Sequence, residues 1–191
     1  MHYTIVLTPP EDQRIKYIEA SQSLYGDCQP SYILTNDGTS SPHITVVQFD
    51  CPSEELAHRI WFRVCEKLRA ANFELFSPKF TGTAFVDGEG SYAGTTWVEL
   101  SVSRGEIDSP IMKLHYTALE VLNDDEFKIK PLNAIGNNFR PHLTETRCAI
   151  TSGQAKICPK AVYENPGKFN VEWGCSDSEF QYVKTLEVYQ P

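Results

Sequence analysis

Two short segments decide how this sequence is read: residues 42–45 are Pro-His-Ile-Thr, and residues 141–144 are Pro-His-Leu-Thr. Each comes after a loop-like stretch and opens a segment rich in apolar and β-branched residues, which is typical of a strand. About half of the 191-residue chain separates them. This spacing predicts two related lobes, each contributing one copy of the pattern.

The composition indicates a globular chain with a small ligand. Apolar residues make up 41% of the sequence and aromatic residues 12%, which is enough to build a core without staples. The formal net charge is -8. Because long nucleic acids are bound through many phosphate contacts on a basic face, this charge disfavours duplex binding. A small phosphorylated ligand needs only a few local donors.

The sequence shows no targeting signal, and the spacing of its cysteines does not indicate a metal site or a redox motif. The first ten residues do not resemble a secretory signal, and no segment approaches the roughly 20 apolar residues that span a bilayer. We therefore expect a cytoplasmic protein without a membrane partner. The six cysteines are Cys28, Cys51, Cys65, Cys148, Cys158 and Cys175. They form no C-x-x-C pair, so reduced thiols are expected, although an even count leaves disulfides open.

Hydrophobic periodicity predicts the element order β-α-β-α-β-β-α-β-β-β. Predicted strands cover residues 2–8, 43–49, 80–86, 96–102, 141–148, 169–173 and 180–189, and predicted helices begin near Glu11, Ser53 and Pro110. A long loop is predicted at residues 123–138. Because helices and strands are mixed and several strands are adjacent in sequence, we predict an α+β fold with mostly antiparallel sheet.

The His-x-Thr pattern has a chemical meaning on a strand. Side chains two residues apart point to the same face, so His43 would stand beside Thr45, and His142 beside Thr144. One neutral imidazole can take a proton from an attacking oxygen while one imidazolium protonates a leaving oxygen. The hydroxyls can donate to phosphate oxygens. This scheme needs no metal or cofactor, and neither is expected.

The same pattern also begins at His2 and His115. His115 falls within a predicted helix, where residues two apart lie about 200° apart around the axis. His2 lies at the terminus without a preceding proline. Both are interpreted as incidental, and His58 as solvated on a polar helix face. Strand parity, the preceding proline and the half-chain spacing therefore select His43 and His142.

The paired motifs resemble those of the two-histidine phosphoesterase superfamily, which includes cyclic nucleotide phosphodiesterases and the 2′-5′ RNA ligases. Residues 43–47 (His-Ile-Thr-Val-Val), 95–100 (Thr-Thr-Trp-Val-Glu-Leu) and 140–144 (Arg-Pro-His-Leu-Thr) are similar to plant-type cyclic phosphodiesterases. The likeness extends to about residue 150. It implies that residues 1–191 form a single bilobal domain. Its two mostly antiparallel sheets and flanking helices would be related by a pseudo-twofold axis around a central cleft.

The resemblance also implies an activity. It predicts metal-independent hydrolysis of a small nucleotide phosphodiester, either a 2′,3′-cyclic phosphate or an ADP-ribose 1″,2″-cyclic phosphate, by a monomer. His43 and His142 would act as acid and base, in an order that the sequence leaves open. Two alternatives remain: a phosphodiesterase or ligase of 2′-5′ oligonucleotides or RNA ends, and a non-catalytic module that binds nucleotides or RNA ends.

Two positions depart from the plant-type pattern. Arg147 stands where those enzymes carry a tyrosine and resembles the 2′-5′ RNA ligase branch, which makes it a candidate substrate-binding residue. Its odd offset from His142 points to the opposite face of a regular strand, so it would need a bulge or the strand end to reach the cleft. Val6 stands where such enzymes can place a base-stacking tryptophan.

Overall fold

The structure, a computed structural model, describes residues 1–24, 30–35, 40–150 and 152–191. The strands are β1 (His2–Thr8), β2 (Pro30–Ile33), β3 (Ile44–Asp50), β4 (Phe80–Asp87), β5 (Thr96–Val102), β6 (His142–Cys148), β7 (Asn170–Ser176) and β8 (Tyr182–Val188). The α-helices are α1 (Glu11–Leu24), α2 (Glu54–Ala70), α3 (Pro110–Leu122) and α4 (Lys160–Tyr163). Short 3₁₀ turns cover Gly90–Tyr92, Gly136–Asn138 and Ser152–Gln154.

The long helices begin where their capping residues predict. The Ser53 side chain accepts a hydrogen bond from the Leu56 amide at the start of α2, and two glutamates occupy the first turn. Ser109 accepts from the Met112 amide in the same way, with a proline opening α3. The predicted apolar stripes face the core, although Leu56 is only partly buried. Local chemistry therefore sets these two helix starts.

All strand pairs in the described part of the chain are antiparallel and belong to one sheet, in the order β4-β5-β6-β3-β1-β7-β8, with β2 pairing beside β6. The α+β prediction with antiparallel pairing is confirmed. The expected division into two sheets is wrong in one respect: Ile44 on β3 pairs with Leu143 on β6. This central bridge joins the two halves into one continuous sheet.

Each central strand carries a bulge directly after its motif threonine. On β3, Thr45 pairs with Val6 and Val47 with Ile5, so Val46 is the extra residue. On β6, Thr144 pairs with Glu99 and Thr146 with Val98, so Glu145 is the extra residue. The two bulges occupy equivalent positions in the two halves. The repeated motif thus extends to backbone geometry that periodicity alone does not reveal.

Helices cover the sheet face opposite the motif side chains. α1 packs against β6, α3 packs against β3, and α2 packs against α3. The Trp61 ring of α2 also stacks on Trp173 of β7, with ring centroids 6.4 Å apart. Ile44 and Leu143 are fully buried beneath this layer. The core therefore supports the two motif strands from behind.

Several sequence expectations have simple outcomes. β2 and the one-turn helix α4 were not predicted. The sequence predicts that the helix starting near Glu11 ends at Gly26 and that residues 36–41 form a loop, but Gly26 and most of that loop lie outside the described residues. Five cysteines are free thiols, and Cys28 lies outside the described part. No described helix is long and apolar enough to cross a membrane.

Candidate active site

The central bridge brings the two motifs together. Ile44 and Leu143 pair and point into the core, so the residues on either side of them point to the opposite face of the sheet. In an antiparallel pair this register places His43 beside Thr144 and Thr45 beside His142. Both histidines and both threonines are partly buried. The four predicted residues therefore share one face at the centre of the sheet.

The two imidazoles are oriented by equivalent hydrogen bonds. The Nδ1–H of His43 donates to the Ser41 carbonyl oxygen at 2.8 Å, and that of His142 donates to the Arg140 carbonyl oxygen at 2.9 Å. In each case the acceptor lies two residues before the histidine. Because Nδ1 is held by the backbone, each ring presents Nε2 for proton transfer.

The surroundings of His43 favour its neutral form. Its ring lies against Tyr182, with ring centroids 5.3 Å apart. Burial, chiefly, lowers the pKa of His43 to about 4, and the charge of nearby His142 acts in the same direction. The Ser41 hydrogen bond and the Glu172 charge oppose this shift without cancelling it. His43 is therefore a proton acceptor at neutral pH.

A buried carboxylate, that of Glu172, lies next to the Tyr182 side chain that covers His43. Glu172 on β7 pairs with Val6 and is only 2% exposed. It accepts hydrogen bonds from the Tyr182 hydroxyl at 3.1 Å and the Thr8 hydroxyl at 2.6 Å. Arg14 supplies a positive charge at 3.3 Å. These contacts fix the Tyr182 ring that covers His43.

A second buried carboxylate stands beside His142. Glu99 on β5 pairs with Thr144, is 3% exposed, and has an oxygen 3.4 Å from His142 Nε2. Arg140 holds the same carboxylate through contacts of 2.6 and 3.3 Å. An imidazolium at His142 therefore has a counter-charge in place. The neighbours of the two histidines differ, although their backbone geometry is the same.

The bulge at Glu145 turns Arg147 toward the motif face. Arg147 pairs with Trp97, which lies on the same face of β5 as Glu99. Its guanidinium lies over the Trp97 ring at 4.6 Å and the Tyr92 ring at 4.5 Å, and contacts Glu179 at 3.3 Å. The bulge that the odd offset required is present. Whether Arg147 contacts substrate stays a prediction.

The other expected positions are also located. Val6 pairs with Thr45 and is fully buried, so no aromatic side chain stands there to stack on a base. His2 lies near Asp50, and His58 pairs with Glu187 at 2.8 Å while remaining half exposed. His115 lies on the core side of the sheet, where it is fully buried. The sequence pattern places none of these three histidines in the catalytic site.

Sequence reasoning missed Glu99, Glu172 and Tyr182. A glutamate within the otherwise uncharged segment 96–102 is a usable signal, because a charge in a buried strand is rare unless it is paired. Glu172 gives the same signal between Val171 and Trp173.

In the described part of the chain, no group of three or more His, Cys, Asp or Glu side chains is arranged to hold a metal ion.

Comparison with solved structures identifies the fold. Usb1 from Kluyveromyces marxianus has 8% sequence identity and a TM-score of 0.57, over 100% of this chain and 97% of its own. LigT from E. coli, in apo form, has 12% identity and a TM-score of 0.54, over 99% of this chain and 94% of its own. No family model matches the sequence, and no curated protein matches it.

These two likenesses extend over nearly the whole of each chain. This chain therefore has the same α+β fold as Usb1 and LigT, and membership of the two-histidine phosphoesterase superfamily stays a prediction from the paired motifs. At such low identity the likeness concerns the fold, and the chemistry must be argued from the residues at the site.

Proposed function

We propose that this protein is a metal-independent phosphodiesterase that hydrolyses a small nucleotide phosphodiester, such as a 2′,3′-cyclic or ADP-ribose 1″,2″-cyclic phosphate. One observation carries the proposal: two imidazoles, each held at Nδ1 by a backbone carbonyl, share one sheet face with two threonine hydroxyls. This set contains a proton acceptor, a proton donor and donors for phosphate oxygens.

The different surroundings of the two histidines support opposite roles for them. His43 is neutral at physiological pH because burial lowers its pKa, so it serves as the general base. His142 has the Glu99 carboxylate 3.4 Å from Nε2, which provides the counter-charge for the protonated form. It therefore serves as the general acid. Thr45 and Thr144 donate to the non-bridging phosphate oxygens.

The proposed reaction conserves protons. His43 Nε2 takes a proton from water as the water oxygen bonds to phosphorus. The bond from phosphorus to one ribose oxygen breaks, and His142 Nε2 gives its proton to that oxygen. The product is a phosphomonoester with a free hydroxyl. A proton passing from His43 to His142 through solvent restores the starting state. Arg147, on the same face, is proposed to contact the substrate.

The test is product analysis with excess EDTA, using 2′,3′-cyclic nucleotides, ADP-ribose 1″,2″-cyclic phosphate, 2′-5′ oligoadenylate and short RNA with modified 3′ ends. Wild-type protein is expected to open at least one cyclic phosphate. His43→Asn and His142→Asn are each expected to lower kcat at least about a hundredfold, as loss of a general acid or base does. His58→Asn is the matched control, since the His58 side chain is half exposed on the outer face of α2.

The panel separates the alternatives. Cleavage of 2′-5′ oligoadenylate or RNA ends alone would assign the other branch of the same chemistry. Tight binding of an oligonucleotide that returns intact would indicate a binding module. Turnover at the wild-type rate by either histidine variant would refute the proposed catalysis.

A further inference from the structure

His115, whose His-x-Thr pattern falls inside a helix, forms a link between the two motif segments. Its Nδ1–H donates to the Val46 carbonyl oxygen at 2.9 Å, and its Nε2 accepts from the Gly136 amide at 3.0 Å. These two bonds define a neutral ring with the proton on Nδ1. Val46 is the bulge residue after the first motif, and Gly136 lies in the loop before the second.

A stacking contact continues this link toward His142. The Phe139 ring stacks on His115, with centroids 3.9 Å apart and planes 4° from parallel. Phe139 precedes Arg140, whose carbonyl oxygen accepts the Nδ1–H of His142. His115 thus holds both ends of the short segment that leads to the peptide orienting His142. On its other side it holds the residue next to Thr45.

The other half of the molecule repeats the arrangement with a serine. The Ser21 hydroxyl of α1 donates to the carbonyl oxygen of Glu145, the bulge residue after the second motif, and accepts from the Leu34 amide at 2.9 Å. Leu34 precedes the first motif as Gly136 precedes the second. Two unrelated side chains, one in each half, therefore each link the bulge after one motif to the segment before the other.

We propose that His115 is a positioning residue for the two-histidine site, and that Ser21 is its counterpart. Each ties the bulge after one motif to the segment before the other, which sets the distance and orientation between His43 and His142. The proposal rests on the proposed function, because proton transfer at both ends of one phosphodiester requires two imidazoles in fixed relation. A misplacement of about 1 Å can cost about a hundredfold in rate.

The test compares His115→Phe, which retains a ring to stack on Phe139 but loses both hydrogen bonds, with His115→Asn, which retains a donor toward Val46. With the substrate that wild type turns over, kcat is expected to fall about thirtyfold in His115→Phe and less in His115→Asn, with KM within about threefold. Ser21→Ala is expected to lower kcat similarly. His58→Phe is the matched surface control.

Nitrogen NMR of the imidazoles gives a readout independent of turnover. The Nδ1-protonated form of His142 is expected to lose population in His115→Phe at a temperature where circular dichroism shows a folded protein. A merely structural role would lower thermal stability without changing this tautomer or the ratio of kcat to KM. If His115→Phe does not fold, His115→Asn and Ser21→Ala provide the same comparison.

Wild-type kcat and an unchanged His142 tautomer in the folded variants would overturn this proposal. If, in the same assays, His43→Asn still abolished turnover, the proposed function would stand. If His43→Asn retained full turnover, the proposed function would fail, and the tautomer measurement alone would decide whether His115 positions His142.

Discussion

Lowering the pH tests the environment of His43 directly. A histidine with an ordinary pKa of 6.5 is almost entirely protonated at pH 5, whereas burial lowers the pKa of His43 to about 4, so about nine-tenths of it remains neutral there. A base that stays neutral keeps working. The acidic limb of kcat/KM is therefore expected near pH 4, and most activity should persist at pH 5.

The same shift affects stability, with a sign that follows from linkage. Because the pKa of His43 is lower in the folded chain than in the unfolded chain, the unfolded chain binds the proton first as the pH falls. The stability that His43 contributes is complete above pH 6.5 and is lost as the pH falls to about 4. The difference between pKa values of 6.5 and about 4 corresponds to about 3 kcal/mol of stability.

Three measurements check this prediction. These are the pH profile of kcat/KM at constant ionic strength, the titration of the His43 ring proton by NMR, and urea unfolding between pH 4 and 7. His43→Asn identifies the resonance by its disappearance and should flatten this part of the stability profile. A His43 resonance that titrates at pH 6 to 7 would refute the reasoning, whatever the activity profile shows.

Three further changes test other parts of the structure. Glu99→Gln removes the counter-charge beside His142 Nε2 and is expected to lower kcat about tenfold. It should also lower KM, because a buried negative charge no longer opposes the phosphate. Steady-state kinetics would measure the two effects separately. Arg147→Met keeps an apolar side chain between Trp97 and Tyr92 but loses the positive charge. We therefore expect KM to rise about tenfold with kcat nearly unchanged. An unaltered KM would show that Arg147 does not bind the substrate. Burial raises the pKa of the Glu145 carboxyl well above its usual value, and its oxygens have no hydrogen-bond partner among the described residues. Glu145→Met is therefore expected to raise the free energy of unfolding by about 1 to 2 kcal/mol at pH 7, and by more at higher pH, as measured by urea titration.

The sequence was sufficient for the elements with strong local signals. Capping serines and apolar stripes predicted α2 and α3, and enrichment in apolar and β-branched residues predicted the strands that carry the motifs. β2 was missed because it has only four residues and begins at Pro30, a weak strand signal. α4, also four residues long, has no side-chain cap to announce it. Short elements are specified by what they pack against.

The alternation of side chains along a strand predicted part of the site. His-x-Thr parity placed His43 with Thr45 and His142 with Thr144, but parity fails one residue later because each strand bulges. The bulge decides that Arg147 faces the motif side, and no local sequence signal announces it. Glu99 and Glu172 join the site through pairing between strands far apart in sequence. Such register is set by tertiary packing, which a single sequence does not display.

The difference between the two halves matters for the chemistry as much as their similarity. Two equivalent imidazoles facing one phosphate would compete for a single proton, because protonation of one disfavours protonation of the other. General acid–base catalysis needs one ring charged and one neutral at the same pH. Here the backbone treats both rings alike, while Tyr182 covers His43 and the Glu99 carboxylate stands beside His142. The repeated backbone geometry thus aligns the two rings, and under the proposed function the differing neighbours of His43 and His142 set the direction of proton transfer.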